Sequence, residues 1–189
     1  MKNAPDGHAS IPVQILTGAL GAGKTTLINT LLRAGHLQGC AIIVNEFGNI
    51  GLDHDLIESA NDDVQLLAGG CLCCQVQDDL VEALMRLEKA VREGRQRPFN
   101  RVIIETSGLA NPLPLLQLFA RSPYLQGRFH CDAVTTVVDA VLGAEALRTD
   151  RDSAVQQATL ADQILISKWE QASPEQQQTR HEQLDALNP

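Results

Sequence analysis

Three thiols stand within four residues, at Cys71, Cys73 and Cys74, directly behind Gly69 and Gly70. Sulfurs this close, led by a glycine turn, can converge on one soft metal ion. Three thiolates leave one tetrahedral position for a carboxylate, a water or an incoming ligand. An open position suits transfer or catalysis better than a closed structural site does. Two other readings remain: ordinary packing residues, or a C-x-x-C redox pair formed by Cys71 and Cys74. Cys40 and Cys131 lie at the edges of apolar runs and read as small buried hydrophobes. Five cysteines, an odd number, argue against a disulfide framework.

A second chemistry is written in Gly18-Ala19-Leu20-Gly21-Ala22-Gly23-Lys24-Thr25, which fits the phosphate-loop pattern G-x-x-x-x-G-K-[ST]. The glycines let backbone N–H groups turn inward around phosphate oxygens. A helix opening near Lys24 points its positive end at the same place. Lys24 offers an ammonium to the β- and γ-phosphates, and Thr25 a hydroxyl to Mg²⁺. Downstream, residues 102–108 (VIIETSG) put Glu105 at the end of an apolar run, where such folds hold Mg²⁺. Gly108, three residues on, can give a backbone N–H to the γ-phosphate.

These groups need elements to carry them. Apolar, β-branched runs at residues 11–17, 40–45, 64–67, 101–106, 133–139 and 164–166 read as strands. Residues 24–33 read as a helix. Residues 75–92 carry Val76, Leu80, Ala83, Leu84, Leu87 and Val91 at helical spacing, with Gly94 as a stop. Ser173 and Pro174 read as an N-cap and first turn of a polar helix reaching Leu187, its residues 175–178 a solvated face. Strands apolar from end to end, alternating with helices, predict an α/β fold: a doubly wound, mainly parallel sheet with helices on both faces, the P-loop NTPase class.

Composition narrows the rest. The 189 residues suit a single domain, with Met1 to Ser10 a frayed, flexible tail and residues 11–189 the folded part. A net charge of -8 and the lack of a basic run disfavour nucleic acid as partner. No apolar stretch approaches the roughly 18 residues of a membrane helix, and the first residues lack the apolar core of a signal peptide. A cytoplasmic protein without membrane attachment is expected. His8, His36, His54, His130 and His181 stand apart from one another and read as surface or packing residues, with His54 of interest only for its place beside Asp53.

GALGAGKTT (18–26), NEFGNIGLD (45–53), GGCLCC (69–74) and ETSGLANP (105–112) occur in an order that resembles CobW-type P-loop GTPases, relatives of the nickel-insertion GTPases of urease and hydrogenase. The resemblance spans about residues 11–189, and the C-x-C-C loop joined to a phosphate loop is its specific part. It implies a GTPase whose hydrolysis is coupled to delivery of zinc or cobalt to a client metalloprotein. It leaves room for a dimer that depends on nucleotide or metal. It implies nucleotide contacts along Gly18, Gly21, Ala22, Gly23, Lys24, Thr25 and Thr26. It places Glu46 and Asp53 on a switch segment near the nucleotide, Asp53 counted with Lys24 and Glu105 as catalytic, and Glu46 able to approach the three thiols as a further zinc ligand.

Two departures accompany it. The family reads guanine with Asn-Lys-x-Asp; here Ala161-Asp162 and the following strand match, but the motif is Ser167-Lys168-Trp169-Glu170. Lys168 can still lie along the base, and Glu170 can replace Asp only by folding back its longer side chain. One lost hydrogen bond costs about 1–3 kcal/mol. GTP preference with weaker discrimination is expected. The family also continues past its Leu-Asn-Pro, matched by 187–189, into a last strand and a smaller domain. A non-hydrolysing metal- or nucleotide-binding module is the competing reading. A small-molecule kinase is a weaker third, since a kinase has no use for the thiols.

Overall fold

The computed structural model describes residues 10–44, 65–68, 76–143 and 151–188. Six strands, β1 (Ile11–Thr17), β2 (Cys40–Val44), β3 (Gln65–Ala68), β4 (Arg101–Glu105), β5 (Phe129–Asp139) and β6 (Gln163–Ser167), form one sheet in the order β3-β2-β4-β1-β5-β6. Every neighbouring pair is parallel. The fold class anticipated from the sequence is therefore observed.

Alternation along the strands divides the core. Val13, Ile15, Ala41, Ile43, Val102 and Ile104 face one way. They meet Leu80, Leu84 and Leu87 of α2 (Val76–Arg92), and Leu115, Leu118, Phe119 and Leu125 of α3 (Leu113–Arg121) and α4 (Pro123–Arg128). Leu16, Ile42, Ile103 and Val137 face the other way, onto Ile28 and Leu32 of α1 (Lys24–Arg33). Burying both sides explains why these strands carry no polar stripe. At the β5–β6 end, Val138 packs with Ala158 of α5 (Arg151–Thr159) and Leu184 of α6 (Pro174–Leu187).

Most element bounds match the sequence reading within a residue or two. β5 is longer, starting at Phe129 rather than at Ala133. Its opening residues His130, Cys131 and Asp132 break the apolar run that marks a strand, yet β1 pairs with His130 and Cys131 and the register steps over Asp132 at a bulge. Helices α3, α4 and α5 had no counterpart in that reading. Ser173 caps α6 with a full capping box, its hydroxyl accepting from Gln176 N–H. Glu175 and Gln178 are exposed as expected, whereas Gln177 turns back, its Nε2 donating to Trp169 O at 2.9 Å and to Ala172 O at 3.3 Å.

The parallel order places four strand ends in a row. Register pairs Leu16 with Glu105, Thr17 with Thr136, and Asp139 with Ser167. The carboxyl ends of β4, β1, β5 and β6 thus present Glu105, the glycine loop, Asp139 and Ser167-Lys168 along one edge. In open α/β sheets such an edge is where ligands bind.

Candidate nucleotide-binding site

The loop between β1 and α1 is held closely to the sheet. Gly18 adopts φ +138°, and a Cβ there would fall 2.2 Å from Val137 O, so any side chain would drive the loop off β5. Ala22 N–H closes the turn on Ala19 O at 3.1 Å, and Gly23 is the N-cap of α1, its carbonyl accepting Leu27 N–H at 2.9 Å. Lys24 is 5% exposed, and its Nζ donates to Gly18 O at 2.7 Å and to Ala19 O at 3.1 Å. The ammonium therefore sits over the loop it would share with phosphates. Thr26 points to solvent, and its carbonyl accepts the Thr30 hydroxyl at 2.8 Å.

Thr25 and Glu105 are brought together. The Thr25 hydroxyl donates to Glu105 Oε1 at 2.7 Å, and Glu105 is 2% exposed. A hydroxyl and a carboxylate are hard oxygen donors of the kind Mg²⁺ takes when it keeps several waters and bridges to phosphate. The residues present fit that ion. Behind them Thr106 N–H donates to Leu16 O at 2.9 Å and its hydroxyl to Thr17 Oγ1 at 2.9 Å, fixing the β4 end to β1. Gly108 is pressed against the loop, where a Cβ would lie 2.4 Å from Leu20 N. The N–H proposed to meet a third phosphate is thus carried on backbone touching the phosphate loop itself.

The base segment is strapped to the same loop. Lys168 takes the left-handed conformation, φ 55°, and its Nζ donates to Gly21 O at 2.9 Å and to Asp139 Oδ2 at 2.5 Å. The Ser167 hydroxyl donates to Ala22 O at 2.6 Å. Ser167 stands where the guanine-reading motif has Asn, and its hydroxyl ties this segment to the phosphate loop instead. Asp139 Oδ1 accepts the N–H groups of Val141 at 2.7 Å and Leu142 at 2.9 Å. Burial pushes the Asp139 carboxyl up, but hydrogen bonds from Lys168, Leu142 and Val141 outweigh it and hold the group below its ordinary value. Asp162 binds Val134 in both directions, its N–H to Val134 O at 2.9 Å and its Oδ2 from Val134 N–H at 2.8 Å. Glu170 is exposed on the 3-10 turn Trp169–Gln171. Trp169 meets His181 edge to face, ring centroids 5.0 Å apart.

Asp139 escaped the sequence reading, and Ser167 entered it only as a departure from the base motif. Asp139 had the signal that singled out Glu105, an acid closing an apolar strand. Glu46, Asp53, Cys71, Cys73 and Cys74 lie outside the described residues. Cys40 and Cys131 stand apart as buried or half-buried thiols. Burial raises the Cys40 thiol against the opposing charge of Arg101, and pushes Cys131 up to about 11 with help from Asp162 and Asp132.

Sheet order, glycine loop, buried lysine and Thr25–Glu105 pair define a P-loop nucleotide-binding domain. The family described as CobW/HypB/UreG, nucleotide-binding domain, matches residues 12–189, and the chain belongs to it. Zinc chaperone YjiA of Escherichia coli (strain K12) is 36% identical over 178 residues, 94% of this chain and 55% of that protein. Zinc-regulated GTPase metalloprotein activator 1 of Schizosaccharomyces pombe is 36% identical over 172 residues, 87% of this chain and 40% of that protein. The chain thus spans about half the length of the relatives it matches. Zn(II)-bound YjiA GTPase from E. coli shares the fold at a TM-score of 0.70 and 30% identity, over 96% of this chain and 56% of that one. Nickel-bound HypB from Helicobacter pylori shares the fold alone, at a TM-score of 0.58 and 18% identity, over 94% of this chain and 75% of that one. Among the described residues no helix is long and apolar enough to cross a membrane.

Proposed function

We propose that this domain binds GTP with Mg²⁺, hydrolyses it, and uses the cycle to hold and hand over zinc, or cobalt, to a client protein. The observation that carries the reading is the Thr25–Glu105 contact of 2.7 Å beside a lysine-bearing glycine loop. Lys24 leaves two carbonyls for phosphate oxygens, so charge on the ligand replaces neutral dipoles around the ammonium. Thr25 and Glu105 would hold Mg²⁺, which would supply positive charge to the phosphates. Gly108 N–H and the loop N–H groups orient the third phosphate for attack by water, with Asp53 assigned beside it. Lys168 lies along the guanine and Glu170 accepts from its edge. Cys71, Cys73, Cys74 and Glu46 hold the metal cargo. Relatives named zinc chaperone and zinc-regulated GTPase support the pairing of these two chemistries.

Phosphate release from GTP, followed with and without added zinc, tests the proposal. Turnover is expected, with a rate that responds to zinc, and Lys24→Ala is expected to bind GTP at least about tenfold more weakly, the scale of one lost charged hydrogen bond. Nucleotide and zinc binding without turnover would reduce the domain to a binding module.

A further inference from the structure

Gln157 belongs to neither the phosphate loop nor the base segment, yet it is 1% exposed on α5 and reaches the turn that follows β4. Its Nε2 donates to Gly108 O at 3.2 Å and to Ala110 O at 3.0 Å. Its own carbonyl accepts the Thr136 hydroxyl at 2.6 Å, which anchors this part of α5 to β5. One turn earlier on the helix, the Ser153 hydroxyl stands 3.4 Å from Leu109 O. Three successive carbonyls, those of residues 108–110, are thus approached from one helix.

The consequence follows from peptide geometry. Each trans peptide is planar, so fixing a carbonyl fixes the N–H of the next residue in the opposite direction. Ala110 N–H holds Ser107 O at 3.1 Å, and this sets the direction of Gly108 N–H. Gln157 holds the following carbonyls and closes the turn from the other side. Gly108 cannot retreat toward the phosphate loop, since it already abuts the Leu20 backbone. The turn is gripped between Leu20 and the Gln157 amide. A buried amide that spends both hydrogens on one turn resists change, because breaking the bond to Gly108 O leaves a buried carbonyl without its donor.

We propose that Gln157 is a positioning residue for triphosphate recognition: by gripping the 107–110 turn it presets Gly108 N–H toward the third phosphate and ties α5 to the nucleotide state. This rests on the reading of Gly108 given above. GDP lacks that phosphate, so only the triphosphate gains from the preset turn.

The test uses Gln157→Met, which keeps length and loses both donors, with GDP and a non-hydrolysable GTP analogue as probes. The analogue is expected to bind about tenfold more weakly to the variant, the scale of one or two net hydrogen bonds. GDP is expected to stay within about threefold, the loss being confined to contacts GDP cannot make. A merely structural role would weaken both nucleotides alike, and an equal loss, or no loss, overturns the proposal. Should the variant not fold, amide hydrogen exchange on the parent decides. The analogue, relative to GDP, is expected to slow exchange both at 107–110 and along α5. Protection confined to 107–110 overturns the coupling. A parent chain that binds neither probe removes the nucleotide reading itself, and the inference with it.

Discussion

The Thr25 hydroxyl donates to Glu105 Oε1 across 2.7 Å, joining the start of α1 to the end of β4 from positions 80 residues apart. No local propensity brings these groups together; the adjacency of β1 and β4 does. Glu105→Gln keeps the shape and removes the charge. GTP turnover is expected to fall roughly 10- to 150-fold, as for a lost charged hydrogen bond of about 1.5–3 kcal/mol, with a rise in the Mg²⁺ needed for half-maximal rate. A rate and Mg²⁺ requirement equal to the parent's would remove Glu105 from the ion site.

Asp139 links Lys168 to the turn after β5, and its carboxyl is held below the ordinary value of 3.8. A group with a depressed folded value adds stability that is present above its unfolded value and lost as pH falls through the folded one. The decline should therefore fall below about pH 4, with Arg180, which senses Asp139 from α6, losing the same partner. Asp139→Asn still accepts from the backbone but no longer carries charge. The expected loss near neutrality is about 1.5–3 kcal/mol, or roughly 3–12 °C in Tm for a domain of this size. Thermal melts from pH 3 to 7 should show a flatter acid limb in the variant; an identical limb contradicts the assignment.

The two halves of the base motif separate by experiment. Ser167 binds the loop carbonyl of Ala22, so Ser167→Ala should weaken GTP and ATP together, by roughly 2- to 12-fold. Glu170→Asp should act on guanine alone and raise the GTP-over-ATP ratio. Competition of both nucleotides against a fluorescent GDP analogue measures each. Equal competition by ATP in the parent would end the claim of guanine preference.

Metal and nucleotide are expected to be linked through Glu46. If its carboxylate joins the thiols in one nucleotide state only, zinc affinity must differ between GTP and GDP forms, by about 5- to 150-fold. Thiolate ligation should also weaken as pH falls. Glu46→Ala should shrink the difference, read by competition with a chromophoric chelator. Among the described residues no group of three metal-ligating side chains gathers around Cys40 or Cys131, so neither should contribute a zinc site. Identical affinities in both states would leave two sites that merely share a domain.

Much of the scaffold was legible in the chain, and the gaps have physical causes. β1, β2 and β4 are apolar because both faces are covered, so composition alone marks them. Helix α5 buries Ala154, Gln157 and Ala158, small or polar residues that leave no apolar period to detect. The phosphate loop and Glu105 could be read because their residues follow a spacing or a strand end. The ties from Ser167 to Ala22 and from Lys168 to Gly21 span 145 and 147 positions, and only the order of the sheet brings them together.

The edge-to-face contact between Trp169 and His181 has a practical consequence. Trp169 is the chain's single tryptophan and sits between Lys168 and Glu170, the two residues assigned to the base. Its near-ultraviolet emission therefore comes from one place, with no background from a second indole. A purine arriving alongside Lys168 would alter the surroundings of that ring. Occupancy of the base pocket is then readable by light, on the unlabelled protein, in the same cuvette in which metal is added.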